Sequence, residues 1–153
     1  MLFRSTGYQA GCRNQRATST TPRDAELERV DLLVNEIGSY QGTVQEEEEG
    51  ASFLEITAGG SWRIEANTVD QAPTFDESAT GLGDSVVLVT GDSGIADITH
   101  AGDSNFAVLT YPLAGRRRDL LVNEIGNYAG SVRFPGPALI EITANGDWTI
   151  SLQ

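Results

Sequence analysis

The chain has 153 residues, 39% of them hydrophobic, which leaves room for one ordinary domain or two small ones and suits a globular protein. Its 22 acidic residues against ten basic ones give a formal net charge of −12, which works against a phosphate backbone and excludes nucleic acid as an expected partner. No apolar run approaches the roughly 20 residues that cross a bilayer as a helix, so no membrane span is expected, and the single cysteine, Cys12, excludes an intrachain disulfide framework or a thiolate metal cluster.

Charge is distributed unevenly along the chain. Residues 1–23 carry Arg4, Arg13, Arg16 and Arg23, no acid, and many Ser, Thr, Gly and Gln. Gly7, Gly11 and Pro22 interrupt any amphipathic helix, no period-2 pattern is present, and MLFRSTGYQ lacks the apolar stretch of a signal peptide. The segment therefore reads as a disordered, Arg-rich leader. From Asp24 onward the chain holds all 22 acids and six of the ten arginines, a charge of −16. An acidic, lysine-free surface suits a high-salt or calcium-containing exterior, and suits a GC-rich genome equally well.

Residues 24–66 read as four short strands: ERVDLLVNEIG, YQGTV, SFLEITA and SWRIEA, with Gly59-Gly60 as a hairpin turn. Residues 67–82, with Pro73 and late glycines, read as a linker. Residues 83–153 hold seven β-like runs at about ten-residue spacing: SVVLVT, GIADITHA, NFAVLTYPL, RRDLLVNEIG, YAGSVRF, ALIEITA and DWTISLQ. The predicted fold is all-β, an antiparallel β-sandwich of about seven strands in 83–153, preceded by an incomplete four-strand copy.

The two copies align in detail. At an offset of 88, Asp31–Gly38 falls on Asp119–Gly126, both reading DLLVNEIG, with Tyr40 on Tyr128 and Val44 on Val132. Beyond a loop the offset becomes 86, and Glu55–Ala58 falls on Glu141–Ala144, Trp62 on Trp148 and Ile64 on Ile150. Strand, turn and aromatic chemistry is shared, and the loop alone changes length. Residues 1–28 hold no recognisable counterparts of GIADITHA and NFAVLTYPL, so the first copy is expected to have an unmatched apolar face and free edges. It should then pack on the second copy, pair with another chain as a homo-oligomer, or stay partly disordered. A truncated or frame-shifted start of a longer repeat protein would account for the same gap.

Most residues that could form a site also suit an ordinary structural role. Trp148, Ile150 and Leu152 share one face of a strand, and Trp62 with Ile64 repeats this, so both tryptophans are expected in a core. Asn35 and Asn123 sit inside apolar strands and, if buried, need local backbone partners. Glu46 to Glu49 read as a solvated hairpin tip, since like charges in a row stay hydrated. VVLVTGDSG followed by Asp97-x-x-His100 resembles blocks of the GDSL hydrolases, but it lies in a β context, and Gly-Asp-Ser also occurs at 83–85 and 102–104 as turn chemistry. No catalytic residue is assigned. The remaining ligand candidates are Asp92, Asp103, Asn123 and Glu124, whose oxygens would suit calcium or a carbohydrate.

The order of a GDS-type opening, THAGDSNFAVL, LLVNEIGNYAGSV and LIEITANGDWTI resembles repeated β-sandwich modules of secreted or surface-anchored bacterial proteins, and loosely the bacterial pre-peptidase C-terminal domains. The likeness covers about residues 83–153 and partially 29–66. It implies a non-catalytic module, extracellular or at the cell surface, for adhesion, presentation or spacing in a larger protein, and transfers no catalytic residue. A carbohydrate- or calcium-binding domain is the alternative, with no other cofactor expected and a carbohydrate or protein as partner.

Overall fold

Main-chain N–H and C=O groups carry a β-ladder, so a segment can stand in a sheet without an alternating side-chain pattern when neighbours on both sides offer pairing groups. This is the situation at the N-terminus. The structure, a computed structural model, describes residues 2–8, 12–19, 28–46, 51–113 and 117–153, and among these the side chains at 32–46, 54–113 and 117–153. It divides into two compact units, Met1–Thr68 and Val69–Gln153.

In the first unit the four expected strands are present as β3 (Glu28–Val34), β4 (Gln41–Gln45), β5 (Ala51–Ala58) and β6 (Ser61–Asn67). They are preceded by two more, β1 (Leu2–Tyr8) and β2 (Cys12–Ser19), within the segment read as a disordered leader. β1 lies between β4 and β6, and β2 lies between β3 and β5, all antiparallel. The expectation of disorder is thus corrected at residues 2–8 and 12–19, where pairing on both edges supplies the order that side-chain pattern does not. Val34, Tyr40 and Val44 are buried together, with Leu33 packed against them.

The second unit begins with a single 3-10 turn at Val69–Gln71 and continues through nine strands among the described residues. These are β7 (Thr74–Phe75), β8 (Ser78–Leu82), β9 (Ser85–Val89), β10 (Gly94–Ala101), β11 (Asn105–Pro112), β12 (Asp119–Ile125), β13 (Tyr128–Phe134), β14 (Ala138–Thr143) and β15 (Asp147–Leu152). One sheet has the order β13-β10-β15-β8 and the other β12-β11-β14-β9-β7; only the β7–β9 pair is parallel. All seven predicted runs are strands, and the second repeat is the predicted antiparallel sandwich.

The linker expected at 67–82 is corrected: β7 and β8 belong to the sheets of the second unit. Edge strands need little apolar surface, and Ser78–Leu82 turns only Ala79 and Gly81 toward partial cover, so its sequence looks like a loop. Between the sheets lies one core. Ala96, Ile98, Phe134, Trp148 and Ile150 from the first sheet face Phe106, Val108, Ile140, Ile142 and Val89 from the second, every one buried. Among the described residues no helix is long and apolar enough to cross a membrane, which says nothing of strands.

Candidate functional site

β10 separates the candidate residues, with Asp92 before its start and Asp103 beyond its end. At its start, the β9–β10 turn carries Asp92 and Ser93. Ser93 Oγ donates to the Gly136 carbonyl and accepts from the Gly136 N–H, both at 3.1 Å, tying this turn to the β13–β14 loop. An open cleft of about 390 Å³ lies here, with Asp76, Glu77 and Asp92 on its walls. Asp76 already accepts the Thr90 hydroxyl proton. Among the described residues no three His, Cys, Asp or Glu side chains converge in a way that could hold a metal ion.

At the far end of β10 stands His100, 3% exposed. Its Nδ1 is 2.8 Å from the Gly126 carbonyl, so in the neutral ring Nδ1 carries the proton and donates, leaving Nε2 as an acceptor with no hydrogen-bond partner among the described residues. The ring stacks on Phe106 with centroids 4.3 Å apart and planes 5° apart, and Phe106 in turn tilts against Tyr128. A Cβ on Gly102 would collide with this ring and with Asn145, so the β10–β11 turn can close over His100 only as glycine. Ser93 and His100 are seven residues apart along an extended chain, about 23 Å. They do not form a nucleophile–base pair.

Asp103 sits in the β10–β11 turn beside His100. Its carboxylate accepts from Asn145 Nδ2 at 2.5 Å, and Asn145 Oδ1 accepts the Ser104 N–H at 3.2 Å. The third Gly-Asp-Ser behaves alike: Asp84 accepts the Ala144 N–H at 2.9 Å, and Ser85 donates to the Gly83 carbonyl at 3.1 Å. Each of the three tripeptides staples one loop, two of them to a neighbouring turn through Asp and one through Ser. The sequence holds no signal that marks Asn145, since its place in a turn after a strand is that of any other Asn.

Asn123 and Glu124 lie on β12, paired with Ala107 and Phe106. Both are exposed, as are Asn35 and Glu36 in the first copy, so the expectation of buried amides needing local partners is corrected. The cause is visible in the ladder: β12 is the sheet's edge, the register shifts at Val108/Leu109, and Val122 alone is fully buried. Val34 takes that place in the first copy. Asp103, Asn123 and Glu124 therefore gather toward one end of the second unit, and Asp92 lies at the other.

The repeated motif has a consequence that the sequence pattern concealed. Ile125 is 82% exposed and Ile37 is 97% exposed, and Leu120 and Leu32 are also exposed. The same two positions of DLLVNEIG are thus apolar and solvent-facing in both copies. Trp148 is buried at 2% exposure with its indole N–H donating to the Gly83 carbonyl at 3.1 Å, whereas Trp62 is 50% exposed, which corrects the expectation that both are core residues. Glu46 is buried, continuing the inward face of Gly42 and Val44, while Glu47 to Glu49 lie outside the described residues.

On the outer face of β10, Asp97 accepts from Ser131 Oγ and from Gln153 Nε2, the latter at 2.7 Å. The Ser131 bond first and the Gln153 bond second hold its carboxyl below the ordinary value of 3.8, with slight burial opposing them. Comparison of the chain with protein-family models, curated proteins and solved structures finds no match.

Proposed function

We propose that this chain is a non-catalytic β-sandwich repeat module, extracellular or at a cell surface, that serves adhesion, presentation or spacing within a larger protein. The observation that carries the reading is the duplicated exposure of Leu32 on the edge strand β3 with Ile37 in the bend after it, and of Leu120 with Ile125 on the edge strand β12. Exposed apolar side chains on the outermost strand of a sheet are where a second polypeptide adds on. The likeness to repeated modules of secreted bacterial proteins belongs to the same proposal.

The test is bead adhesion. Beads coated with the full chain are expected to cluster with one another, and beads coated with the Ile37→Asp/Ile125→Asp double variant are not. Both residues are exposed enough for the variant to keep its fold, which circular dichroism would check. Equal clustering of the two would remove the adhesive role.

A second reading, a carbohydrate- or calcium-binding domain, is favoured by the open cleft walled by Asp76, Glu77 and Asp92. A rise in melting midpoint at millimolar calcium, lost in Asp92→Asn, would put this reading first, because a ligand that binds only the native state raises the midpoint.

A further inference from the structure

The two units share a register, and it exposes a mismatch in the first. In the second unit Ile98 stands opposite Gly130 and Ile150, and Val108 stands opposite Val122 and Ile142. In the first unit Ser5 stands opposite Gly42 and Ile64, and Gln15 stands opposite Val34 and Ile56, which are the repeat counterparts of those four residues. The correspondence is 93 residues along β1 and from Gln15 to Ala17 of β2, where the register shift at Val108/Leu109 recurs at Gln15/Arg16; further shifts at Cys12/Gln15, Ala17/Thr18 and Thr18/Ser19 are peculiar to the first unit. β1 and β2 thus occupy the places of β10 and β11.

The residues at those places do not match their neighbours. Where the second unit buries Ile98, His100 and Val108, the first has Ser5, Gly7 and Gln15; only Phe3 and Ala17, at the places of Ala96 and Thr110, are apolar. Trp62 lies beside this mismatch. Its counterpart Trp148 stands between His100 of β10 and Gly81 of β8 and is buried, while Trp62 stands opposite Gly7 on β6, the outermost strand of its sheet, and is half exposed.

We propose that the first unit is a receptor for a β-hairpin of the repeat's own type, supplied by another polypeptide and carrying the apolar pattern of residues 94–112, which takes the place of residues 2–19. The shared register supports such a receptor whether or not the chain is adhesive. β3 to β6 are near-copies of the four strands that pair with β10 and β11, so an entering hairpin replaces every main-chain hydrogen bond it displaces and adds apolar side chains at the places of Ser5 and Gln15. Residues 94–112 of a second copy are not the donor, since Ile98, Phe106 and Val108 are locked in that copy's own core.

The experiment uses the full chain labelled with 5-fluorotryptophan, which gives two fluorine resonances, the Trp62 signal being assigned with Trp62→Phe. The probe is the segment Gly94–Pro112 fused to a soluble carrier. We expect saturable movement of the Trp62 resonance at probe concentrations up to about 100 µM, with the Trp148 resonance unmoved. A probe carrying Ile98→Asp and Val108→Asp should leave both resonances in place. A Trp62 resonance that does not respond to the wild-type probe, responds equally to the charged probe, or stays fixed while Trp148 moves would overturn the proposal. A chimera with residues 2–19 replaced by 95–112 separates register from docking: if it moves the Trp62 resonance and the free probe does not, the shared register stands and capture from another polypeptide is wrong.

Discussion

His100 and Trp148 stand opposite each other on β10 and β15, and the corresponding pair in the first unit is Gly7 and Trp62. One tryptophan is enclosed and hydrogen-bonded, the other half open, although their flanking sequences are close copies. Trp148→Ala is therefore expected to cost about 3 to 5 kcal/mol, the range for deleting a large core aromatic, and Trp62→Ala about 1 kcal/mol or less. Urea unfolding of the two variants side by side measures the difference. Equal losses would mean that Trp62 is as enclosed as Trp148.

Gly81 pairs with Trp148 on the edge strand β8, and a Cβ at Gly81 would fall on the indole. Gly81→Ala should destabilise by about 1 to 3 kcal/mol through overpacking. The effect should shrink when Trp148 is replaced by Leu in the same chain, because the clash has then lost its partner. A double-mutant cycle with no coupling would show that β8 adjusts freely.

Asp97 makes acid stability legible. Its carboxyl is held below its ordinary value, so the ionised form is favoured in the folded state. The contribution is present in full above the unfolded value near 3.8 and is lost as pH falls through the lower folded value. Below that window wild type and Asp97→Asn should converge in melting midpoint, and above it wild type should be the more stable. Ser131→Ala should narrow the gap, since Ser131 is the larger cause. A gap that is constant from pH 2 to pH 6, flanking the roughly 3.9 of a free Asp, would contradict the assignment.

Asn145 joins Asp103 to the Ser104 N–H and so holds the β10–β11 turn against the β14–β15 turn. Asn145→Ala is expected to cost about 0.5 to 1.5 kcal/mol for each bond lost. Faster amide exchange confined to residues 102–104 is the direct readout. Unchanged exchange there would mean the turn is held by its backbone alone.

The sequence alone determined seven of the nine described strands of the second unit and most of its core. GIADITHA and DWTISL place Ala96, Ile98 and His100, and Trp148 and Ile150, two residues apart, and in an extended chain that spacing assigns them to one face whatever they pack against. It also determined that DLLVNEIG is one structural element used twice.

Exposure, and what each strand pairs with, were decided by the tertiary structure. Whether Ile125, Asn123 or Trp62 faces solvent depends on being at a sheet edge, on a one-residue register shift, and on what stands across the ladder, none of which is a local property of the chain. β1, β2 and β8 were illegible for a related reason: main-chain groups can be held by neighbours on the ladder, so a strand can form where its side chains give no periodic signal. The three Gly-Asp-Ser turns show the same division at the scale of a site. Their composition announced turns, but only the fold decided that Asp103 would meet Asn145, that Ser93 would meet Gly136, and that His100 would lie a strand's length from the serine it seemed to accompany.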